Sequence, residues 1–280
     1  MAIDQIPNIT LNNGVEIPQL GFGVFQIPPA DTKAAVLTAL EAGYRHIDTA
    51  QMYGNEREVG EAVRESGLDR TEVFVTSKLN NNAHDPKDAR DATARSIDAL
   101  GIGAMDLYLV HWPMPAVGDF VRTWQTMERL YEDAHTRAIG VSNFHRAHLE
   151  RLFAETEIVP AVNQIEVHPY LTQVPLRDFN RSNGIHTQAW SPIAQGDVLD
   201  DPVLTAIAAE TGRTVAQVVL RWHVQLGSIV FPKSTTPSRI VENRQIFDFE
   251  LTADQVDRIN ALNADRRRGP NPDEFNWIPE

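Results

Sequence analysis

Cysteine is absent from the chain. That excludes a disulfide framework, thiol catalysis and cysteine-ligated metals, and it fits the reducing cytoplasm as the expected compartment. No apolar run comes near the roughly 20 residues that span a bilayer. The opening Met1-Ala2-Ile3-Asp4-Gln5-Ile6-Pro7 has neither the basic nor the apolar region of a secretory signal. Basic residues are the minority charge: 25 Lys and Arg stand against 38 Asp and Glu, for a net charge of −13. Nucleic acid and anionic membranes would repel such a surface, so neither is an expected partner, and an anionic ligand would need a local basic pocket. Gly-x-Gly-x-x-Gly is missing too. Gly21-Phe22-Gly23 runs on into Val24-Phe25-Gln26, which argues against a Rossmann nucleotide site. No linker, low-complexity run or metal is expected.

What remains is an alternation. Apolar, β-rich runs at 19–25, 44–49, 73–79, 105–112, 137–143, 161–167, 185–190 and 229–232 are separated by amphipathic stretches of helical spacing. Among the latter are 31–41, 56–65, 86–100, 120–133, 147–155 and 215–224. Eight strand–helix repeats imply a parallel sheet, and eight is the number that closes into a (β/α)8 TIM barrel. On pattern alone an open doubly wound sheet stays in play. Asn13-Gly14 between short β-prone arms signals a hairpin. An antiparallel hairpin cannot join a parallel barrel, so segment 1–18 is expected to cover one end. Residues 238–246 and 252–262 read as extra C-terminal helices, and 264–280 as an irregular tail. A chain of this length buries about three quarters of its unfolded surface and needs no staple. Residues 1–280 read as one domain.

Four polar residues stand at the ends of apolar runs. They are Asp48, Tyr53 five residues later, Lys78 after Val73-Phe74-Val75-Thr76-Ser77, and His111 after Leu107-Tyr108-Leu109-Val110. In a parallel barrel those strand ends form one rim, where active sites lie. One Asp, one Tyr, one Lys and one His there make a proton-donating apparatus centred on a phenol, which suits reduction of a carbonyl group. A free phenol, with a pKa of about 10, is a sluggish acid at neutral pH. The Lys78 ammonium is expected to lower that value, Asp48 to keep the ammonium charged, and His111 to orient the carbonyl oxygen by a hydrogen bond. Singly, each has a plainer reading: a structural ion pair, a satisfied core histidine, a packed loop tyrosine. Their recurrence at successive strand ends points to chemistry.

A second feature is Pro232-Lys233-Ser234-Thr235-Thr236-Pro237-Ser238-Arg239-Ile240-Val241-Glu242-Asn243. Thr236 can cap a helix that opens at Pro237. Bare N–H groups there attract an anion, and Lys233 and Arg239 add charge. The plain alternative is a capped helix with solvated basic residues.

In chain order, His46-Ile47-Asp48-Thr49-Ala50-Gln51-Met52-Tyr53-Gly54-Asn55-Glu56, Lys78, Leu107-Tyr108-Leu109-Val110-His111-Trp112-Pro113, Gly140-Val141-Ser142-Asn143-Phe144, Asn163-Gln164-Ile165-Glu166 and Pro232-Lys233-Ser234 resemble the signatures of aldo-keto reductases. Within that family the chain is similar to the prokaryotic 2,5-diketo-D-gluconic acid reductase branch. The resemblance implies a (β/α)8 barrel, NADPH as cofactor, and Asp48, Tyr53, Lys78 and His111 as catalytic residues with Tyr53 the acid. It implies that Ser142, Asn143 and Gln164 hold the nicotinamide carboxamide and that Trp190 stacks on the ring. Ser191, Ile193, Gln195 and Gly196 would form the pyrophosphate loop. Lys233, Ser234, Thr235 and Arg239 would grip the 2′-phosphate, with Glu242 and Asn243 at the adenine.

Phe22, Phe25 and Trp112 would wall a substrate pocket beside His111, and Asn80 stands where many relatives carry Trp. Phe275 and Trp277 are candidates either to close over substrate or to be pinned to the barrel flank. The expected partner is a small carbonyl compound: a keto-sugar acid, a methylglyoxal-type aldehyde or an aromatic aldehyde. Two other functions fit the same residues, a Schiff-base aldolase with Lys78 as nucleophile and a non-catalytic NADPH-binding subunit. Nothing in the pattern asks for an obligate interface, so a monomer is expected.

Overall fold

A computed structural model describes residues 5–279. Two short antiparallel strands come first, β1 (Asn8–Thr10) and β2 (Glu16–Pro18), with Ile9 opposite Ile17. Eight parallel strands follow: β3 (Phe22–Gly23), β4 (His46–Asp48), β5 (Phe74–Leu79), β6 (Leu107–Val110), β7 (Ile139–Ser142), β8 (Val162–Glu166), β9 (His186–Trp190) and β10 (Ile229–Val230). Helices α1 (Pro29–Glu41), α2 (Glu56–Glu65), α3 (Pro86–Leu100), α4 (Phe120–Glu132), α5 (Arg146–Glu155) and α6 (Val174–Ser182) alternate with them. Next come α7 (Pro202–Thr211) and α8 (Val215–Gln225), and α9 (Pro237–Arg244) and α10 (Ala253–Asn260) follow the last strand.

The strands neighbour one another in chain order, and the ring closes. Gly21 N–H donates to Val230 O at 2.9 Å, Val230 N–H to Gln19 O at 3.0 Å, and Gly23 N–H to Pro232 O at 3.2 Å. The fold is therefore the (β/α)8 barrel and not the open sheet. The strands are shorter than their apolar runs: residues 19–25 yield only Phe22–Gly23, and 105–112 only Leu107–Val110. Beyond those limits the chain splays into rim loops, and the apolar flanks pack without ladder bonds.

Helix ends follow local chemistry. Pro86 opens α3, where its missing N–H leaves nothing unpaired. Gly101 ends it in left-handed backbone (φ +58), donating N–H to Ile97 O. Helices α2 and α3 approach so closely that a Cβ on Gly60 would overlap the Leu100 carbonyl. The main core fills the space between strands and helices, around the buried Tyr44, Tyr108, Trp124 and Trp222. A second cluster lies inside the barrel among Phe74, Leu107, Val162 and Ile229, residues that begin their strands, and it includes Leu11 and Ile17 of the hairpin segment. The hairpin therefore plugs the N-terminal end, as its sequence suggested, and the opposite rim is left for chemistry. Among the described residues no single helix is long and apolar enough to cross a membrane.

Candidate active site

Asp48 ends β4, Lys78 stands one residue before the end of β5, and His111 directly follows β6. Alternation along each strand turns these three side chains into the barrel. Tyr53 arrives by another route. It closes a 3-10 turn, Gln51–Tyr53, which Gly54 stops in left-handed backbone (φ +68). Asn55 then fixes the turn: its Oδ1 accepts from Thr49 Oγ1 (2.8 Å), and its Nδ2 donates to Val24 O (3.1 Å) and Ile27 O (3.2 Å). Sequence reading gave Asn55 no role, although it sits inside the quoted motif.

Lys78 is fully buried and uses all three ammonium protons. Nζ donates to Asp48 Oδ1 at 2.7 Å, to Thr49 O at 2.9 Å and to Tyr53 Oη at 3.2 Å. The second Asp48 oxygen accepts from Gln164 Nε2 at 2.8 Å. The His111 ring meets Tyr53 edge-to-face with centroids 5.9 Å apart, and the exposed Phe25 flanks Tyr53 at 5.0 Å. The structure thus gathers Asp48, Tyr53, Lys78 and His111 at one point of the rim.

Burial works to discharge Lys78, yet the combined pull of Asp48 and Tyr53 carries its pKa above the ordinary lysine value. Burial and the nearby Lys78 charge hold the His111 imidazole neutral, well below its usual range. Tyr53 overturns one expectation. Its ring is half-buried, but its hydroxyl lies among Lys78 and Asp48, and burial there pushes the phenol pKa up; the ammonium pulls it back only in part. The net direction is upward, not downward, because desolving a phenolate outweighs one neighbouring cation.

Across the rim, Ser142 Oγ donates to Gln164 O (2.9 Å), and Asn143 Nδ2 donates to His111 O (3.0 Å) and to Ser142 Oγ (3.1 Å). Asn143, in left-handed backbone (φ +63), accepts the Trp190 indole N–H on Oδ1 at 2.9 Å. Gln164 Nε2 also donates to Gln188 Oε1 at 3.0 Å. Glu166, sealed at the end of β8, accepts from His168 Nε2 (2.9 Å) and from the backbone N–H groups of Arg268 (2.6 Å) and Gly269 (2.9 Å) in the tail. The tail continues over the rim, where Phe275 packs on Trp112 (centroids 4.3 Å apart) and Trp277 O accepts from Asn81 Nδ2 (3.0 Å). Gln188 and Glu166 make contacts that sequence reading did not assign; their partners lie on other strands or in the tail.

A family model for the aldo/keto reductase family matches residues 19–264. The chain belongs to the aldo/keto reductase family. It is 50% identical over 275 residues to an aldo-keto reductase of Mycolicibacterium smegmatis, covering 97% of this chain and 98% of that one. To the glyoxal reductase of Bacillus subtilis it is 48% identical over 268 residues, 95% and 96% of the two chains. The Bombyx mori aldo-keto reductase solved in complex with NADP superposes with a TM-score of 0.89 at 38% identity, covering 94% of each chain.

In this aldo/keto reductase, loop 191–196 lies beside Trp190 with Ser191 (φ +48), Ala194 (φ +48), Gln195 (φ +57) and Gly196 (φ +105) all in left-handed backbone; Ile193 is half-buried between them. Arg268 pairs with Asp197 just beyond. Lys233, Thr235 and Arg239 are exposed and Ser234 is half-buried around the start of α9. Among the described residues neither Lys233 nor Arg239 has an ion-pair partner. Glu242 already accepts from Thr214 Oγ1 (2.8 Å), and Asn243 is buried beside it.

Two sequence assignments need correction. Thr236 holds the N-cap position of α9, but its side chain makes no cap bond; Ser234 Oγ instead accepts the Thr236 N–H at 3.0 Å. Phe22 is not on the rim. It lies within β3, 1% exposed, and packs outward on Tyr44 at 5.9 Å, because the inward positions of that strand are Gly21 and Gly23. Of the other pocket candidates, Trp112 is buried under Phe275, and Asn80 is half-buried with its Oδ1 accepting the Asn81 N–H at 2.7 Å.

Proposed function

We propose that this enzyme reduces aldehydes and ketones to alcohols with NADPH, and that Tyr53 is the proton donor. NADPH, when bound, supplies the hydride that adds to the carbonyl carbon. As the carbonyl oxygen gains charge, Tyr53 Oη gives it a proton; the phenol O–H breaks as the alcohol O–H forms. The phenolate is left 3.2 Å from the Lys78 ammonium. A raised phenol pKa does not oppose this, since Tyr53 keeps its proton at neutral pH and an alkoxide is a far stronger base. Lys78 acts on the charge that develops late, on the phenol oxygen, which is where stabilisation accelerates the step. Asp48 holds the ammonium in place. His111, kept neutral, can present a ring N–H to the carbonyl oxygen. The observation that carries this reading is the threefold donation of Lys78 Nζ to Asp48, Thr49 and Tyr53.

The residues present suit the cofactor. Among the described residues Gln164 Oε1 has no hydrogen-bond partner and it is not sealed from solvent, so it remains for a ligand. Positive φ at non-glycine residues of loop 191–196 is strain of the kind retained at binding sites, and it suits the pyrophosphate. Unpaired Lys233 and Arg239, with Ser234 and Thr235, suit the 2′-phosphate that separates NADPH from NADH. The carboxamide would meet Ser142, Asn143 and Gln164, the ring Trp190, and the adenine Glu242 and Asn243.

For substrate, the glyoxal reductase relative favours a small dicarbonyl aldehyde, with keto-sugar acids the alternative. Asn80, Phe25 and Trp112 would line a mouth that Phe275 and Trp277 of the tail close. An aldolase would need a neutral lysine amine; the raised Lys78 pKa and its occupied N–H groups favour the reductase. The decisive variant is Tyr53→Phe. It should bind NADPH as the native enzyme does, by fluorescence titration, and lose about 100-fold or more in kcat with glyoxal and methylglyoxal. Native turnover in that variant would end the assignment.

A further inference from the structure

We infer that Gln188 is a positioning residue: it fixes the direction of the Gln164 amide, so that Gln164 Oε1 faces the NADPH carboxamide as a hydrogen-bond acceptor. The inference rests on the NADPH reading above.

Gln164 and Gln188 face each other across the β8–β9 register, and both are buried. A terminal amide has two N–H donors and one acceptor oxygen. Both Gln164 donors are in use, one on Asp48 Oδ2 at 2.8 Å and one on Gln188 Oε1 at 3.0 Å. Asp48 fixes which end of the amide faces it, because the reverse orientation would set the Gln164 oxygen against that carboxylate; Gln188 Oε1, holding the second N–H, fixes the rotation of the amide and so the direction in which Gln164 Oε1 points. Gln188 cannot be turned either, because its amino group would then meet that of Gln164. Its own Nε2 is sealed and has no partner. An apolar side chain would avoid that penalty, so the position is explained by what Gln188 Oε1 accepts. Ser142 and Asn143 already have their donors on protein atoms. Gln164 Oε1 is the atom left over, and an acceptor demands a ligand N–H. The carboxamide of NADPH has one; an acetyl group in its place has none.

The test compares dissociation constants for NADPH and its reduced 3-acetylpyridine analogue, read by quenching of tryptophan fluorescence without turnover. Native enzyme should prefer NADPH by roughly five- to tenfold, the worth of one hydrogen bond. In Gln188→Met, which lacks the acceptor, the preference should fall to within about twofold, and Gln188→Glu, which keeps an oxygen there, should restore it. A folded Gln188→Met that keeps the native preference overturns the inference. A native protein that binds neither compound overturns the NADPH reading instead. Should Gln188→Met not fold, native protein labelled with 15N in its glutamine side chains decides. The Gln164 amide protons should exchange slowly with solvent, and fast exchange refutes the inference.

Discussion

Replacing Asp48 with Asn tests the charge arrangement most directly. Lys78 is fully buried, and among the described residues Asp48 Oδ1 at 2.7 Å is its sole carboxylate contact within hydrogen-bonding distance. At an effective dielectric constant of about 20, a unit charge at that distance contributes roughly 6 kcal/mol of attraction, so removing it should strongly lower the proton affinity of Lys78. The variant also brings an amide nitrogen or a reorientation against Gln164 Nε2. Breaking a buried pair in this way costs about 3–5 kcal/mol of stability. The ammonium that the native enzyme keeps at all working pH values should then titrate nearer neutrality. On the proposed mechanism the charged form is the active one, so kcat for glyoxal reduction should be retained on the acid side and lost as pH rises. Stability has the opposite slope: unfolded chains bind the lysine proton and folded ones do not, so Asp48→Asn should grow more stable as pH climbs above neutral. The assay is kcat from pH 5.5 to 9, with urea unfolding at the same points. A native pH profile together with native stability would refute the reasoning.

Three further expectations concern other parts of the molecule. His46 and His223 are buried neutral, their pKa values pushed down by burial to about 3 from an ordinary 6.5. Their contribution is complete above the ordinary value and lost as pH falls toward 3, so urea unfolding between pH 6.5 and 5 should show stability dropping by up to about 1.4 kcal/mol per pH unit for each; a flat curve there would contradict the assignment. Gly60→Ala forces a methyl group into the Leu100 carbonyl and should lower stability by about 1–3 kcal/mol or more, read as a fall in Tm with no change in KM of the folded fraction. Lys233→Ala should weaken NADPH binding by roughly tenfold and leave NADH binding unchanged, and equal losses for both would place the phosphate elsewhere.

Local punctuation made much of the fold legible. Helices α2 and α3 begin and end at the residues their sequence suggests; for α3, Pro86 and Gly101 mark a start and a stop that tertiary packing did not override. Helix α7 was harder to see: Pro-Val-Leu-Thr-Ala-Ile-Ala-Ala-Glu-Thr has little contrast between its faces, although Asp201 caps it and Gly212 ends it. Asp48, Lys78 and His111 were readable because a polar residue closing an apolar run is conspicuous. Phe22 was misplaced by a single step in a period of two, and a two-residue ladder gives no pattern from which to set its phase. The sign of the Tyr53 shift depends on how deeply its hydroxyl sits, and the Gln164–Gln188 contact depends on cross-strand register 24 residues apart. Neither quantity is written in a local motif.

The manner in which Glu166 fastens the C-terminal segment has an evolutionary consequence. Its carboxylate grips main-chain amides at positions 268 and 269, groups that nearly every amino acid provides. Only Gly269 is constrained by size, since a methyl there would come within 2.5 Å of the Trp190 ring. Substitutions at Phe275 or Trp277 therefore leave that main-chain anchor in place, so this stretch can change its side chains while remaining fastened to the barrel.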